Sequence, residues 1–386
     1  MGNKLSLISN PHRGKEQPEW IKAFDQKIAD QVQIFHQQFA EYTPTPLIDL
    51  PKLARKLGIS GLFVKDESRR FGLEAFKGLG GSYCLGRYLA EHPDQNGVTF
   101  VTATDGNHGR GIAWAARKLG CKAVVYMPAG SSAERLANIR AQGAEATITN
   151  MNYDDTVRFA ARQAEKNGWV LVQDTAWKGY ETIPSWIMQG YLTMANEAAT
   201  ALGNTVPSHI FLQAGVGAMS GALTAFFRNR YGFGPKIVIV EPNQADCIYR
   251  TALADDGTLH TVSGALHTIM AGLACGEPCT VGWPILRDYA SAYVSCPDYV
   301  AANGMRLFAA ARGGDAPIVS GESGAAPLGA LDHIMRNPAL APLRESLGLG
   351  PDSRVMLIST EGDTSPRVWR DVCWYGRHGD ELRVGK

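Results

Sequence analysis

Short apolar runs alternate with longer amphipathic segments along most of the chain. The apolar runs are rich in Val, Ile, Phe and Tyr and carry little charge, which is typical of strands buried on both faces. They predict strands at Leu62–Lys65, Val98–Thr102, Ala123–Met127, Ala144–Thr149, Trp169–Val172, His209–Gln213, Lys236–Val240 and Val355–Ser359. The segments between them predict helices at Gly109–Leu119, Ser132–Gln142, Asp154–Asn167, Ile187–Leu202 and Ala218–Arg230.

This alternation predicts an α/β protein whose mainly parallel sheets carry helices on both faces. Ligands of such sheets bind at the carboxyl ends of the strands. The length of 386 residues suits two domains or one large unit. Because residues 97–170 contain about four of the predicted strands, we predict a smaller α/β domain there. It is inserted into a larger domain formed by residues 1–96 and 171–386.

Composition narrows the class of protein. The 38 basic and 37 acidic residues give a formal charge of +1, which argues against a nucleic-acid partner or an acidic membrane surface. No stretch approaches the roughly 20 apolar residues that span a bilayer. Seven cysteines, an odd count, indicate a reducing compartment, and we expect the cytoplasm. The spacing of Cys275 and Cys279 does not fit a zinc site, so no metal is expected, while a Cys247–Cys275 bridge stays open.

The first candidate for chemistry is Lys77, which follows Phe76 and precedes three closely spaced glycines. Glycines let backbone and ligand approach closely. A lysine in a pocket loses its proton more easily and then acts as a nucleophile or a base. The alternative is that Lys77 is a solvated helix residue.

The second candidate is the turn of residues 102–109, which follows a predicted strand and opens a helix. Free amides at a helix N-terminus bind carboxylates and phosphates. The alternative is a well-capped turn in which Asp105 or Asn107 caps the helix. By itself, His108 is interpreted as a packing or cap-supporting residue.

A glycine loop at residues 213–221 is the third candidate. Its amides and the following helix dipole suit a phosphate. Gly215, Gly217 and Gly221 also form a loosened dinucleotide fingerprint with Glu241 twenty residues later, so a nicotinamide-dependent oxidoreductase competes. Two weaker turns lie at residues 320–325 and 358–364.

In chain order, these motifs resemble the fold-type II pyridoxal-phosphate enzymes, a group that includes tryptophan synthase β, threonine dehydratase and serine racemase. Within that group, longer stretches are similar to the ammonia-lyases that act on 2,3-diaminopropionate. The resemblance runs from about residue 31 to about residue 376. It is carried by Lys65–Ser68 with Arg70–Gly72, Met151–Thr156, Gln173–Trp177 and Met270–Pro278.

The resemblance implies the fold-type II architecture of two domains, each with a mainly parallel twisted sheet, and pyridoxal 5′-phosphate as cofactor. Lys77 would form the Schiff base with the cofactor aldehyde. The other implied cofactor contacts are Phe76 on the ring, Asn107 on the phenolic oxygen, Thr360 at the pyridine nitrogen, Glu322, and a phosphate loop of Gly215, Val216, Gly217, Ala218 and Met219.

Position 105 bears on the substrate. Relatives that act on hydroxyamino acids commonly have serine where this chain has Asp105. A carboxylate within about 4 Å of a β-ammonium group is worth on the order of 4 kcal/mol at an effective dielectric of about 20, and desolvation offsets part of this. Asp174 is a second candidate for the same role, or else a turn cap before Trp177. Thr104, Asp105, Gly106, His108 and Asp174 form the expected substrate site.

The expected reaction is the elimination of both nitrogens of 2,3-diaminopropionate as ammonia, leaving pyruvate. Lys77 would take the α-proton of the L isomer and Asp105 that of the D isomer. A serine or threonine dehydratase on the same fold is the alternative, and a non-catalytic binder is the third interpretation. The expected partner is a small amino-acid substrate, and the expected assembly is a homodimer.

Overall fold

The computed structural model describes residues 4–12, 14, 18–104, 106–310 and 312–379. The strands are β1 Ser6–Ser9, β2 Leu47–Asp49, β3 Gly61–Asp66, β4 Thr99–Ala103, β5 Lys122–Met127, β6 Glu145–Ile148, β7 Val170–Leu171, β8 His209–Gln213, β9 Lys236–Pro242, β10 Ala292–Cys296 and β11 Arg354–Ser359.

The α-helices are α1 Gln26–His36, α2 Pro51–Leu57, α3 Lys77–Glu91, α4 Asn107–Lys118, α5 Ala133–Arg140, α6 Tyr153–Asn167, α7 Thr182–Gly190, α8 Leu192–Leu202, α9 Ala218–Tyr231, α10 Cys247–Ala254, α11 Gly282–Tyr289, α12 Asp298–Ala309, α13 Glu322–Arg336, α14 Ala341–Leu347 and α15 Pro366–Cys373. Short 3-10 turns lie at Glu19–Phe24, Arg70–Gly72, Ala271–Leu273, Arg312–Gly314 and Pro338–Leu340.

Two sheets organise the described residues. The larger has seven strands in the order β1-β10-β9-β8-β11-β3-β2, and the smaller has four in the order β6-β5-β4-β7. All pairings are parallel except those of the edge strands β1 and β2. The sequence prediction of mainly parallel sheets flanked by helices is therefore confirmed. The strands of the smaller sheet lie between residues 99 and 171, while the predicted domain boundaries stay a prediction.

Parallel pairing brings the candidate loops to one edge of the larger sheet. Strand β11 lies between β8 and β3, with Ser359 paired to Asp66 at their carboxyl ends. The segments that leave β3, β8 and β11 therefore emerge side by side, as expected at the ligand-binding edge of a parallel sheet. These segments contain Lys77, the glycine loop and Thr360.

A buried ionic cluster fixes the chain between β3 and α3. Arg70 donates to the carboxylates of Glu67 and Glu197, with a 2.6 Å contact to Glu197. The Lys65 ammonium lies 2.5 Å from the same Glu197 carboxylate. Breaking one member of such a cluster leaves a buried charge unpaired, which is strongly destabilising. The cluster thus anchors the segment that leads to Lys77.

Glycines allow close helix contacts at the first turn of α3. A Cβ atom on Gly190 of α7 would lie 2.6 Å from the Leu79 carbonyl oxygen, and one on Gly80 would lie 2.6 Å from the Tyr191 ring. Both distances are far too short for carbon, so these helices pack backbone to backbone. This contact is one reason why α3 forms despite a glycine-rich sequence, for which no helix is predicted.

Two further differences from the sequence prediction concern local structure. The single predicted helix Ile187–Leu202 is two helices, α7 and α8, joined at Tyr191. Strands β1, β2 and β10 were not predicted; β1 and β2 are short edge strands, and β10 mixes Ala and Ser with its apolar residues. None of the helices in the described ranges is long and apolar enough to cross a membrane.

Candidate active site

A cavity of about 580 Å³ lies between the carboxyl ends of the two sheets. Its wall takes residues from both sheets and from the loop around residue 270. The predicted site residues that line it are Phe76, Lys77, Thr104, Asn107, His108, Asp174, Gly215, Val216, Gly217, Ala218, Met219 and Thr360. Asp105 lies outside the described residues.

Lys77 is the first residue of α3, and the backbone before it is tied to the end of β11. The Phe76 amide donates to the Thr360 carbonyl oxygen at 3.1 Å, and the Gly362 amide donates to the Glu74 carbonyl oxygen at 2.9 Å. Ala75 and Glu361 form an isolated antiparallel bridge between these bonds. The segment before Lys77 is therefore held by hydrogen bonds to the end of β11, and the segment after it is the packed helix α3.

The Lys77 ammonium forms an ion pair with the buried Asp174 carboxylate. Burial opposes charge on the lysine, but the Asp174 carboxylate outweighs it and raises the pKa of Lys77 above its usual value. Burial would likewise raise the pKa of Asp174, but His108 and Lys77 together lower it to about 2. The proton of this pair therefore resides on Lys77.

His108 lies against the same carboxylate. Its Nε2 donates to the Val172 carbonyl oxygen at 2.9 Å, and its Nδ1 lies 3.7 Å from Asp174 Oδ2. Burial lowers the pKa of His108, and the neighbouring Asp174 carboxylate opposes this effect. His108 lines the cavity, and its role as a substrate-site residue stays a prediction.

The Phe76 ring and the Tyr191 ring form one side of the cavity. Their centroids lie 4.8 Å apart, and the Lys77 Nζ lies 5.4 Å from the Phe76 centroid. Both side chains are buried. Together they offer an apolar surface next to the lysine against which a planar ring can pack.

The glycine loop connects β8 to α9. Gly217 has φ +91° and caps α9, a conformation that side chains rarely adopt. A Cβ on Gly215 would lie 3.3 Å from Leu273, so the loop backbone is also closely packed from behind. Free amides at the start of a 14-residue helix, together with its dipole, suit a phosphate.

Glu241 does not complete a dinucleotide site. Its two carboxylate oxygens accept hydrogen bonds from the amides of Ile248 and Tyr249, at 2.9 Å and 2.6 Å. The residue is fully buried and caps α10 instead of facing a ribose. The structure therefore removes the acidic residue on which the nicotinamide interpretation depends.

Thr360 presents a hydroxyl group at the end of β11. It is buried, and its Oγ1 accepts a hydrogen bond from Gln213 Nε2 at 2.8 Å. Because the oxygen accepts there, its own proton is free to be donated to a ring nitrogen. The Glu322 carboxyl group, by contrast, is not among the side chains that line the cavity, whereas its neighbour Ser323 is. The role of Glu322 as a cofactor contact stays a prediction.

Asn107 is the first residue of α4. Its Nδ2 donates to Glu361 Oε2 at 2.7 Å. The Asn107 side chain therefore lies in the cavity wall and does not cap α4, whose N-cap residue is Gly106. Thr104 accepts a hydrogen bond from the Gly106 amide at 3.0 Å and shapes the turn in front of it. The turn thus brings Thr104, Asn107 and His108 to the same wall.

Several buried polar atoms of the wall have no hydrogen-bond partner within the described part of the chain. They are His108 Nδ1, Tyr191 Oη, Gln213 Oε1 and Ser323 Oγ. An unsatisfied buried polar group costs about 1–3 kcal/mol, so the cavity is built for a polar ligand. A lysine amine, an aromatic face, a hydroxyl donor, an amide donor and a glycine phosphate loop together fit pyridoxal phosphate.

Comparison with known families agrees with this fit. Residues 39–361 match the family model described as pyridoxal-phosphate dependent enzyme. The chain belongs to this family. Its fold is therefore the fold-type II architecture, and pyridoxal 5′-phosphate is its cofactor, as the sequence motifs predict.

Two relatives within the pyridoxal-phosphate dependent family carry the same description. The chain is 51% identical to diaminopropionate ammonia-lyase of Salmonella typhimurium over 374 residues, covering 91% of this chain and 93% of that protein. It is 48% identical to the Escherichia coli protein of the same description over 395 residues, covering 97% and 98%.

Solved structures give the same result. An Escherichia coli diaminopropionate ammonia lyase, crystallised with an aminoacrylate–PLP azomethine reaction intermediate, superposes with a TM-score of 0.92 at 46% identity. The match covers 98% of each chain. A threonine deaminase of Solanum lycopersicum, at 19% identity and a TM-score of 0.73, shares the fold.

The wall also contains residues that the sequence does not predict as site residues, among them Tyr191, Gln213, Ser323 and Glu361. Gln213, Ser323 and Glu361 lie inside the motifs that the sequence singled out, so their position next to a candidate loop was an available signal. Tyr191 lies inside a predicted helix and carries no such signal. Cys247 and Cys275, the pair for which the sequence leaves a bridge open, do not form a disulfide with each other.

Proposed function

We propose that this protein is an ammonia-lyase that converts 2,3-diaminopropionate to pyruvate and two molecules of ammonia. Two relatives with this description are 48–51% identical over more than nine-tenths of the chain. The observation that carries the proposal is the Lys77 amine paired with the buried Asp174 carboxylate in the cavity wall. It places a reactive amine and a partner for a substrate cation at one point.

The charge of the cavity favours a diamino acid. Among the described wall residues, Asp154, Asp174 and Glu361 carry carboxyl groups, whereas Lys77 is the single lysine or arginine. A substrate with two ammonium groups and one carboxylate carries a net positive charge, which an acidic wall attracts. A hydroxyamino acid has no second cation and gains nothing from this surplus. Serine or threonine dehydration therefore stays the second candidate.

When bound, pyridoxal phosphate supplies an aldehyde that reacts with amines and an electron sink for the bonds broken at the substrate α-carbon. In the proposal, Lys77 is the amine that reacts with the aldehyde. Thr360 and Asn107 contact the pyridine nitrogen and the phenolic oxygen. The amides of residues 215–219 hold the phosphate, and Phe76 packs on the ring.

The side chains of the wall divide the proton transfers. Lys77, once unprotonated, takes the α-proton of the L isomer, and Asp105 is proposed to take that of the D isomer. Asp174 faces the β-ammonium group and keeps it protonated. The carbon–nitrogen bond then breaks with its electron pair on nitrogen, and neutral ammonia leaves, since an amide anion is far too basic a leaving group. Lys77 would regain its place on the cofactor aldehyde as the three-carbon product leaves as an enamine, which water hydrolyses to pyruvate and the second ammonia.

The test is turnover by the purified, cofactor-loaded protein. We expect pyruvate from L- and D-2,3-diaminopropionate at a kcat/KM well above that for L-serine or L-threonine. Lys77→Ala should abolish the yellow colour and lower kcat by at least about 10²–10⁴-fold, the range that a positioned acid–base group contributes. Lys178→Ala is the control, since Lys178 is exposed and does not line the cavity. Preferred turnover of serine, or a yellow and active Lys77→Ala variant, would contradict the proposal.

We also propose that the protein acts in the cytoplasm as a homodimer. The seven cysteines all lie in the described residues and form no disulfide there, which supports a reducing compartment. Sedimentation at several protein concentrations measures the assembly directly. A monomer at micromolar concentration would contradict the dimer.

A further inference from the structure

Glu361 is a buried carboxylate in the cavity wall to which the predicted chemistry gives no role. It follows Thr360 directly and is 5% exposed. Its Oε2 accepts from Asn107 Nδ2 at 2.7 Å, and its Oε1 accepts from the Ser323 amide at 3.2 Å. One carboxylate therefore contacts residues of two other site segments.

The position of Glu361 is fixed by its surroundings. Its backbone pairs with Ala75, and its carbonyl oxygen accepts from the Gly321 amide at 2.9 Å. A Cβ on Gly321 would lie 2.8 Å from Glu361 Cγ, so the side chain is closely packed from that side. Glu361 is thus a rigid acceptor, and Asn107 must adapt to it.

The bond between Asn107 and Glu361 crosses the cavity. Asn107 begins α4, which follows β4 of the four-stranded sheet, whereas Glu361 follows β11 of the seven-stranded sheet. The contact is charge-assisted, and such hydrogen bonds are stronger than those between neutral groups.

A carboxylate decides which way a carboxamide points. An ionised carboxylate only accepts hydrogen bonds, whereas an asparagine side chain both donates through Nδ2 and accepts through Oδ1. Turning the Asn107 amide over would place Oδ1 against the carboxylate oxygens, which repel it. Both oxygens of the Glu361 side chain act as acceptors here, Oε2 from Asn107 Nδ2 and Oε1 from the Ser323 amide.

We propose that Glu361 is a positioning residue that fixes the Asn107 carboxamide with its Nδ2 as the donor, so that the second Nδ2 hydrogen is held ready for the phenolic oxygen of the cofactor. The inference rests on the proposed function, in which Asn107 contacts that oxygen. Glu361 itself does not touch the reacting atoms in this role. It acts by excluding the wrong orientation of Asn107.

The variant Glu361→Gln tests the orientation rule. Glutamine has nearly the same shape, but it both donates and accepts and therefore suits either orientation of Asn107. In the flipped orientation, Oδ1 faces the phenolic oxygen and favours its protonated form. We expect the absorbance of the bound cofactor to move from the visible band toward the near ultraviolet. We expect kcat/KM to fall by about tenfold, equivalent to one hydrogen bond of ordinary strength.

Asp332→Asn is the matched control. Asp332 is a buried carboxylate on α13 that accepts from Asn303 Nδ2 at 2.8 Å, and it does not line the cavity. The substitution therefore makes the same change from carboxylate to carboxamide outside the cavity, where it also breaks the ion pair with Arg336. Its cofactor spectrum should match that of the unchanged protein, even where its melting temperature falls.

A double-mutant cycle separates positioning from a general structural effect. If Glu361 acts through Asn107, then Glu361→Gln should change the spectrum of the unchanged protein but not that of an Asn107→Ala variant. A spectral change of equal size in both backgrounds would overturn the proposal. So would a Glu361→Gln variant with the spectrum and kcat/KM of the unchanged protein.

Failure of the positioning role of Glu361 can be distinguished from failure of the proposed function. If the unchanged protein binds no pyridoxal phosphate or forms no pyruvate, the proposed function itself fails. If Glu361→Gln does not fold, a crystal structure of the unchanged, cofactor-loaded protein decides. We expect Asn107 Nδ2 within hydrogen-bond distance of both Glu361 and the phenolic oxygen, and an Asn107 side chain turned away from Glu361 would overturn the proposal.

Discussion

Asp174 determines the protonation state in which Lys77 meets its ligands. Its carboxylate forms an ion pair with the ammonium and raises the pKa of Lys77 against the effect of burial. An amine must lose its proton before it reacts with an aldehyde. The protein without cofactor therefore holds Lys77 in its charged, unreactive form until the proton leaves.

The variant Asp174→Asn should separate two effects of this pair. Without the carboxylate, burial is the largest remaining effect on Lys77 and lowers its pKa, by at least about one pH unit. The colour that forms when pyridoxal phosphate is added to the cofactor-free protein should then develop at lower pH. Turnover should nevertheless fall by about 10²-fold, because the β-ammonium loses its partner. An unchanged pH dependence of colour formation, followed by absorbance, would contradict the assignment.

Glu322 should make stability depend on pH between about 4.5 and 7. Burial and the Glu361 carboxylate raise the pKa of Glu322 to about 7, so the folded protein keeps this proton after the unfolded chain has lost it. The stabilisation is complete below pH 4.5 and is lost as the pH rises through 7. It corresponds to about 3 kcal/mol of unfolding free energy.

Glu322→Gln keeps a neutral side chain at every pH and should remove this decline. The measurement is urea unfolding at a series of pH values, with Glu345→Gln as the control because Glu345 is exposed. If the free energy of unfolding of Glu322→Gln declines over this range as steeply as that of the unchanged protein, Glu322 is not the group responsible.

The site residues differ in how far the sequence determines them. Lys77 and the 213–221 loop are marked by glycines and by their position after strands, so their chemistry is visible in the local sequence. Tyr191 and Glu361 join the wall through contacts with segments more than a hundred residues away, Gly80 and Asn107 respectively. Such contacts exist only once the two sheets are assembled, and no local pattern encodes them.

The first turn of α3 is an element whose position depends on its neighbours. His36 of α1 donates through Nε2 to the Leu79 carbonyl oxygen at 3.0 Å, and Thr193 of α8 bonds the other ring nitrogen at 2.6 Å. Burial lowers the pKa of His36 to about 3, so this link is neutral and independent of pH near 7. Gly190 of α7 contacts the same turn. Three helices thus fix the segment that begins with Lys77.

Gly190→Ala should disturb this packing. The added methyl group would lie 2.6 Å from the Leu79 carbonyl oxygen and 2.7 Å from Gly80 Cα, and neither backbone atom can move without shifting α3. Overpacking of this kind costs about 1–3 kcal/mol. We expect a lower melting temperature and a loss of kcat, because the shift moves Lys77.

Gly350→Ala is the control for the effect of an added methyl group, since a Cβ there meets no atom within 4 Å. It should leave both melting temperature and kcat nearly unchanged. A Gly190→Ala variant as stable and active as Gly350→Ala would show that the contact between α7 and α3 does not position Lys77.

At the scale of elements, buried strands are the best predicted. Strand β8 has the predicted bounds, and the other predicted strands differ from the observed ones by one or two residues at either end. Helix α3 shows why other elements are not predicted. Its glycines lower intrinsic helix propensity, and only the close contacts with α7 and α4 make up for it.

The cavity lies between the two sheets, so a bound cofactor should stabilise the folded state of the whole molecule. Its wall combines the loops after β8 and β11 of the larger sheet with the turn after β4 of the smaller one. A ligand that binds the folded but not the unfolded chain stabilises it by RT ln(1 + [L]/Kd), about 2.7 kcal/mol at a hundredfold excess over Kd. The melting temperature should therefore rise with added pyridoxal phosphate.

Reduction with borohydride separates the contribution of the covalent bond to Lys77 from that of the non-covalent contacts to the cofactor. In the unchanged protein, reduction joins the cofactor to Lys77 permanently, so the higher melting temperature should survive dialysis.

In Lys77→Ala the phosphate loop and ring contacts remain. Added pyridoxal phosphate should therefore still raise the melting temperature, by less, and dialysis should reverse the effect even after borohydride. Calorimetry of both proteins before and after dialysis checks this. A rise that survives dialysis in Lys77→Ala would place the bond on another lysine, and no rise in either protein would mean that the cavity does not bind the cofactor.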